Sequence, residues 1–447
     1  MSTIEPPKFG TDGLRGRAGD PPMDPETLRR VGCALGVLLQ RSGEAQKRVL
    51  IGNDGRDSAP WMLEALAQGL VAAEVAIADL GLCTTPALAC LVRSQPFDAG
   101  IMISASHNPA HDNGIKIFGH DGTKLRDDDE AELSKLAVAL CPSELRNARS
   151  RDRSDLLTLY EERFAEQFPS LDLTGRKVCI DAANGGGSEL APRILRAFGA
   201  EVIELHCEPD GFNINEGCGA LHPESLAAAV REHGAALGIC LDGDGDRGIF
   251  VDEQGTVRDG DDVLTLFGRQ LHAQKRLAGG RVVATVMSNL GLHKALREAG
   301  VGVHVTPVGD RNVFLAMREL GAVLGGEQSG HVLFADHDLI GDGLYTGIRL
   351  LEAVPDGGFS RAFAAFQRFP QKLVNVPVKH KPDLATVPAI AAKAAEIERA
   401  LGSDGRLLLR YSGTEPKCRV MIEAADLATC ERLCGELADV VTRELGA

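Results

Sequence analysis

ALGICLDGDGDRGIF, residues 236–250, sets both the fold class and the first chemical question. Its opening run, ALGICL, is apolar without alternation, as in a strand buried on both faces, and it stops at a loop of aspartates and glycines. The same style recurs at RVLIGND (48–54), EVAIADLG (74–81), AGIMISAS (99–106), KVCIDAANGGG (177–187), RVVATVMSN (281–289), VGVHVTPVGD (301–310) and GAVLGGEQSG (321–330). Each run ends in a Gly-rich or polar loop and is expected to lead into a helix. The fold class is therefore α/β, with three related α/β domains built on mixed, largely parallel sheets. The last part differs, with a helical pattern at ATVPAIAAKAAEIERAL, strands at GRLLLRYS and CRVMIEA, and a closing helix from DLATCERL, which fits a smaller C-terminal α+β domain. Charged or helical linkers near residues 150, 251–263 and 366–382 suggest the divisions 1–152, 153–255, 256–368 and 369–447.

In such sheets ligands gather where the βα loops open at the carboxyl ends of the strands, and four loops there carry chemistry. In LDGDGDRG, Asp242, Asp244 and Asp246 alternate with glycines that let the loop curl until the carboxylates converge. Converging carboxylates repel unless a cation neutralises them, and oxygen ligation suits Mg²⁺. An EF-hand closed by Glu253 is a poorer fit, because Arg247 stands where that loop needs glycine. A solvated acidic turn is the plain alternative.

The second loop, SASHNPAHDNGIK, carries Ser104, Ser106, His107 and Lys116. It lacks the G-x-S-x-G elbow of a serine hydrolase, and taken by itself it reads better as an Asn-Pro turn with capping hydroxyls. The third, GGEQSGH, offers Glu327 and Ser329 to vicinal sugar hydroxyls, or is a solvated turn. In the fourth, RYSGTEPKCRV, hydroxyls and backbone N–H groups of Ser412, Gly413 and Thr414 stand between Arg410 and Arg419, a phosphate cradle.

The formal net charge of −15 argues against general binding to nucleic acid or membrane surfaces, so an anionic ligand needs a local basic cluster of this kind. Eleven cysteines without a CxxC pair point to reduced thiols, and neither a signal peptide nor a membrane-span pattern is evident. A cytoplasmic protein is expected.

Together, FGTDGLRG, SASHNP, DNGIK, DGDGDR, GEQSGH and RYSGTEP resemble the α-D-phosphohexomutase family in order and spacing along nearly the whole chain. FGTDGLRGRAGD, CEPDGFNINEGCGA and GGEQSGHVLF look like its bacterial branch acting on glucosamine phosphates. The resemblance implies four domains around a central cleft. It implies interconversion of glucosamine 6-phosphate and glucosamine 1-phosphate through a 1,6-bisphosphate, feeding UDP-N-acetylglucosamine and cell-wall synthesis. Ser106 would be the phosphoserine that activity requires, ligating Mg²⁺ with Asp242, Asp244 and Asp246. Arg15, Lys116 and His107 would stand beside it, the last two as acid/base candidates. Glu327, Ser329 and His331 would meet the sugar, Arg247, Asp310 and Arg311 would line the cleft, and Arg410, Ser412, Gly413, Thr414 and Arg419 would clamp the non-reacting phosphate. The implied partner is a small phosphosugar, with the chain a monomer or homodimer. Glucose or mannose phosphates are the alternative substrates. A non-catalytic sugar-phosphate sensor is the alternative class, and the intact serine loop and aspartate trio argue against it.

Overall fold

The computed structural model describes residues 6–10, 12–41, 43, 46–140, 148–337, 340–412 and 416–446. The first three sheets repeat one order. In the first, Asp112–Gly119, Ala99–Ile103, Arg48–Asn53 and Ala76–Leu82 lie side by side, flanked by Leu14–Arg17 and the short Arg151–Asp152. The second runs Gly248–Asp252, Leu237–Leu241, Lys177–Asp181, Glu201–Leu205, with Val257–Arg258 at one edge. The third runs Val332–Phe334, Leu324–Gly326, Arg281–Thr285, Gly302–Thr306. In every case the last three strands are mutually parallel and the first is antiparallel to its neighbour. The fourth sheet is antiparallel, Gln371–Pro377, Lys417–Glu423, Arg406–Tyr411, and carries the helices Pro388–Leu401 and Leu427–Leu445.

Here the structure corrects the expectation that every apolar run feeds a helix. Ala99–Ile103, Leu237–Leu241 and Leu324–Gly326 each return directly as an antiparallel strand, through residues 104–111, 242–247 and 327–331. A doubly buried run looks the same whether its neighbour is parallel or antiparallel, and a hairpin needs only a few connecting residues where a parallel crossover needs a dozen or more. The three expected serine, aspartate and sugar loops are thus equivalent hairpins, one per domain. The stretches read as linkers near 251–263 and 366–382 also contain regular structure, including Val257–Arg258, the start of helix Gly260–Ala273 and strand Gln371–Pro377.

Further apolar clusters fill the first and fourth units, while a single continuous core joins the second and third and takes in Ala87 and Cys90 of the first: Leu241, Phe250, Leu264, Phe334, Tyr345 and Phe363 all belong to it. That shared core fixes the aspartate loop relative to the GEQSGH loop, because burying apolar surface resists separation of the two sheets.

Candidate active site

Ser106 lies at the carboxyl end of Ala99–Ile103, wholly buried, with its backbone in the left-handed region at φ 53°. An L-residue avoids that region unless its surroundings impose it. Ser104 helps impose it by accepting the Ser106 N–H on its Oγ at 2.8 Å, so the second serine of the loop shapes the turn. Ser106 Oγ donates to Asp242 Oδ2 at 2.6 Å across to the second domain and lies 3.3 Å from His107 Nδ1.

Asp242, Asp244 and Asp246 converge as a buried trio, through a turn in which Gly245 takes φ 71°. Lys116, on the antiparallel strand Asp112–Gly119, reaches in from the first domain to Asp244 Oδ2 at 2.7 Å and Asp246 Oδ2 at 2.9 Å. Burial, then Asp246 and Asp244, pushes the Asp242 carboxyl up to about 8. Burial acts the same way on Asp246, yet Lys116 and His331 draw it below the usual carboxylate range. Burial alone would lower the Lys116 ammonium, but Asp12, Asp244 and Asp246 hold it well above the usual lysine range. Burial, with Arg247 and Arg15, brings His107 down to about 4. Asp244 Oδ1 and Asp246 Oδ1 are buried without a hydrogen-bond partner. Unfilled carboxylate oxygens in a mutually repelling trio fit a hard divalent cation such as Mg²⁺.

Arg15 pairs with Asp12, and Arg247 Nε lies 3.8 Å from Asp246 and 4.0 Å from Asp242. From the third domain, Glu327 Oε1 accepts the Gly309 N–H at 3.0 Å, tying GEQSGH to TPVGDR. Both ring nitrogens of His331 are buried without a hydrogen-bond partner, whereas Ser329 is exposed. Asp310 pairs with Lys124. Arg311 binds Glu130 at 3.1 Å, Asp127 at 2.7 Å and the Leu125 carbonyl at 2.6 Å, all in the first domain. Its described contacts are therefore to protein and bridge domains.

In the fourth domain Arg410 and Arg419 are direct cross-strand partners. Burial, with Arg419, lowers the Arg410 guanidinium, and its Nε is buried without a hydrogen-bond partner. Like charges directly opposed across two strands repel each other. Ser412 is buried, and Gly413 and Thr414 lie outside the described residues.

Sequence reasoning missed Asp12, Lys124 and Thr85. Asp12 meets Arg15, Lys116 and Lys124 together, and Thr85 donates through both N and Oγ1 to Asp244. Asp12 lies within the quoted motif FGTDGLRG, which was a usable signal, whereas Lys124, eight residues beyond DNGIK, and Thr85 had none.

Known sequence patterns match along the chain in the same arrangement. Phosphoglucomutase/phosphomannomutase alpha/beta/alpha domain I covers residues 6–139, domain II 159–255, domain III 259–369, and the C-terminal domain 373–440. The chain belongs to this family. Among its relatives, the phosphoglucosamine mutase of Solibacter usitatus is 44% identical, with 98% of this chain and 99% of that protein covered. That of Paracoccus denitrificans is 45% identical, with 97% and 98% covered. A phosphoglucomutase/phosphomannomutase family protein from Burkholderia thailandensis, solved by X-ray crystallography, superposes with a TM-score of 0.78 at 27% identity, covering 98% of this chain and 99% of that one. Among the described residues of this family member, no helix is long and apolar enough to cross a membrane.

Proposed function

We propose that this enzyme is a phosphoglucosamine mutase, interconverting glucosamine 6-phosphate and glucosamine 1-phosphate through phosphorylated Ser106 and a 1,6-bisphosphate. The substrate reading is supported by near-full-length relatives of that name at 44% and 45% identity. One observation carries the chemistry: Ser106 Oγ donates to Asp242 at 2.6 Å, inside an aspartate trio already met by Lys116.

In the first half-reaction the Ser106 Oγ–P bond breaks as a bond forms from phosphorus to the free sugar hydroxyl. The hydroxyl proton leaves to a neighbouring group, and Oγ takes up a proton. The bisphosphate turns around, its other phosphoryl group returns to Oγ by the reverse exchange, and the isomer departs. Lys116, whose ammonium pairs with two of the aspartates, and His107, whose Nδ1 lies 3.3 Å from Oγ, would move those protons. Arg15 and Arg247 add positive charge beside the carboxylates. Glu327, Ser329 and His331 would orient the sugar, with Asp310 bracing the cleft through Lys124. Arg410, Ser412, Gly413, Thr414 and Arg419 would grip the phosphate that is not reacting, so each half-reaction proceeds from a bound, oriented substrate. Ser106, Asp242, Asp244 and Asp246 would hold Mg²⁺, which when bound neutralises charge on the transferring phosphoryl oxygens.

The purified enzyme, assayed side by side on glucosamine, glucose and mannose phosphates, should show its highest kcat/KM on the glucosamine pair. A higher value on either of the others would replace that assignment.

A further inference from the structure

The segment CEPDGFNINEGCGA, residues 207–220, has no part in the chemistry above, yet it reaches the Ser106 loop. Asp181 anchors it at both ends: its Oδ2 accepts from His206 Nδ1 at 2.9 Å and from the Gly219 N–H at 3.1 Å. Between those anchors the Gly211 carbonyl takes the Asp57 N–H at 3.0 Å, and Asn215 Nδ2 donates to two carbonyls of the serine loop, Ser106 O at 2.9 Å and Asn108 O at 3.1 Å.

The same two carbonyls are met from the first domain. Arg56 is one of the largest wholly buried side chains of the protein, and each of its guanidinium nitrogens is engaged. Nε donates to Asp54 at 3.0 Å, Nη1 to the carbonyls of Pro109 and of Asp112, the latter at 2.9 Å, and Nη2 to those of Ser106 at 3.1 Å and Asn108 at 2.8 Å. A guanidinium spent almost entirely on main-chain oxygens of one loop fixes that loop's path, and its buried charge is balanced by Asp54, itself 0% exposed. Gly243 leaves room for this arrangement, since a Cβ there would lie 2.6 Å from Ser106 O and 2.8 Å from Asn215 Nδ2.

Granted that Ser106 carries the phosphoryl group, we propose that Arg56 and Asn215 are positioning residues for its transfer. They hold the serine loop from two domains, and so keep Ser106 in its left-handed conformation with Oγ aimed at the aspartate trio. Neither touches the reacting atoms. The Asn215 clamp makes the geometry of the nucleophile depend on the docking of the second domain against the first.

Asn215 itself sits at φ 58°, a conformation asparagine tolerates and glycine adopts freely. Asn215→Gly therefore removes the amide without straining the backbone. The test is single-turnover transfer from ³²P-labelled enzyme to glucosamine 6-phosphate, expressed per labelled Ser106, together with steady-state kinetics and the unfolding midpoint. The transfer rate constant and kcat should fall roughly 10- to 100-fold, the cost of a misplaced reacting group, while KM stays within about twofold. A segment needed only for stability would reduce the amount of folded enzyme and leave the rate per labelled site unchanged. Arg56→Lys, which loses the fork but keeps the charge, should slow transfer in the same sense wherever it folds. Asn215→Gly transferring at the wild-type rate would overturn the proposal. Wild-type enzyme with no label on Ser106 would instead overturn the reading on which it rests.

Discussion

Lys116 Nζ lies 2.7 Å from Asp244 Oδ2, joining the antiparallel strand of the first domain to the aspartate loop of the second. Neither group is exposed, and Asp246 completes the contact at 2.9 Å. The ammonium thus offsets part of the charge that three buried carboxylates accumulate, leaving one oxygen each on Asp244 and Asp246 without a hydrogen-bond partner.

From that geometry Asp244→Asn should weaken Mg²⁺ binding and reduce turnover while the fold survives, since the change removes a ligand charge from a loop and no apolar packing. Calorimetric titration with Mg²⁺, activity and circular dichroism report the three parts separately. Unchanged Mg²⁺ affinity together with full turnover in the variant would place the metal elsewhere.

The opposed pair Arg410 and Arg419 leads to a second expectation. Arg419→Lys keeps the charge and loses the bidentate fork, so phosphosugar affinity should fall by about 1–3 kcal/mol, the scale of a charge-assisted hydrogen bond. Equilibrium binding of glucosamine 6-phosphate to the two proteins checks this, and equal affinity would remove Arg419 from the clamp.

A third concerns pH and stability. His293, on helix Leu290–Glu298, is brought down to about 4, by burial first and then by Arg406 and Arg297. Unfolded, the ring titrates near ~6.5. As pH falls below that value the unfolded chain binds a proton that the folded chain refuses, so the stability contribution present above ~6.5 is lost progressively towards pH 4. His293→Gln should flatten this part of the profile. Chemical unfolding of both proteins at pH 7 and pH 5 measures it, and parallel losses in the two would show that His293 carries none of the dependence.

The chemistry of the site was legible because its groups sit in short contiguous loops. Asp242, Asp244 and Asp246 alternate with glycines in a way that suggests converging carboxylates, as the structure has them, and Arg410 and Arg419 flank a turn rich in hydroxyls and backbone donors. The hairpin returns that carry Lys116, Gly248 and Val332 were not, since apolar strands do not state the direction of their neighbours. Arg56 and Asn215 were equally hidden. Each works on main-chain carbonyls remote in sequence, 50 to 109 residues away, and carbonyls carry no sequence signal. Arg311 shows the converse: a charged residue beside a cleft motif that the fold spends on the acidic first turn of helix Asp127–Ala139.

The account rests above all on Ser106 as the carrier of the phosphoryl group, and mass spectrometry of wild-type enzyme joined to turnover of Ser106→Ala tests it most directly. The peptide containing Ser106 should carry one phosphate, Ser106→Ala should lose nearly all activity, and Ser104→Ala, which removes the acceptor of the Ser106 N–H, should lose much less. An unphosphorylated Ser106 peptide from fully active enzyme, or Ser106→Ala turning over at the wild-type rate, would contradict the covalent mechanism.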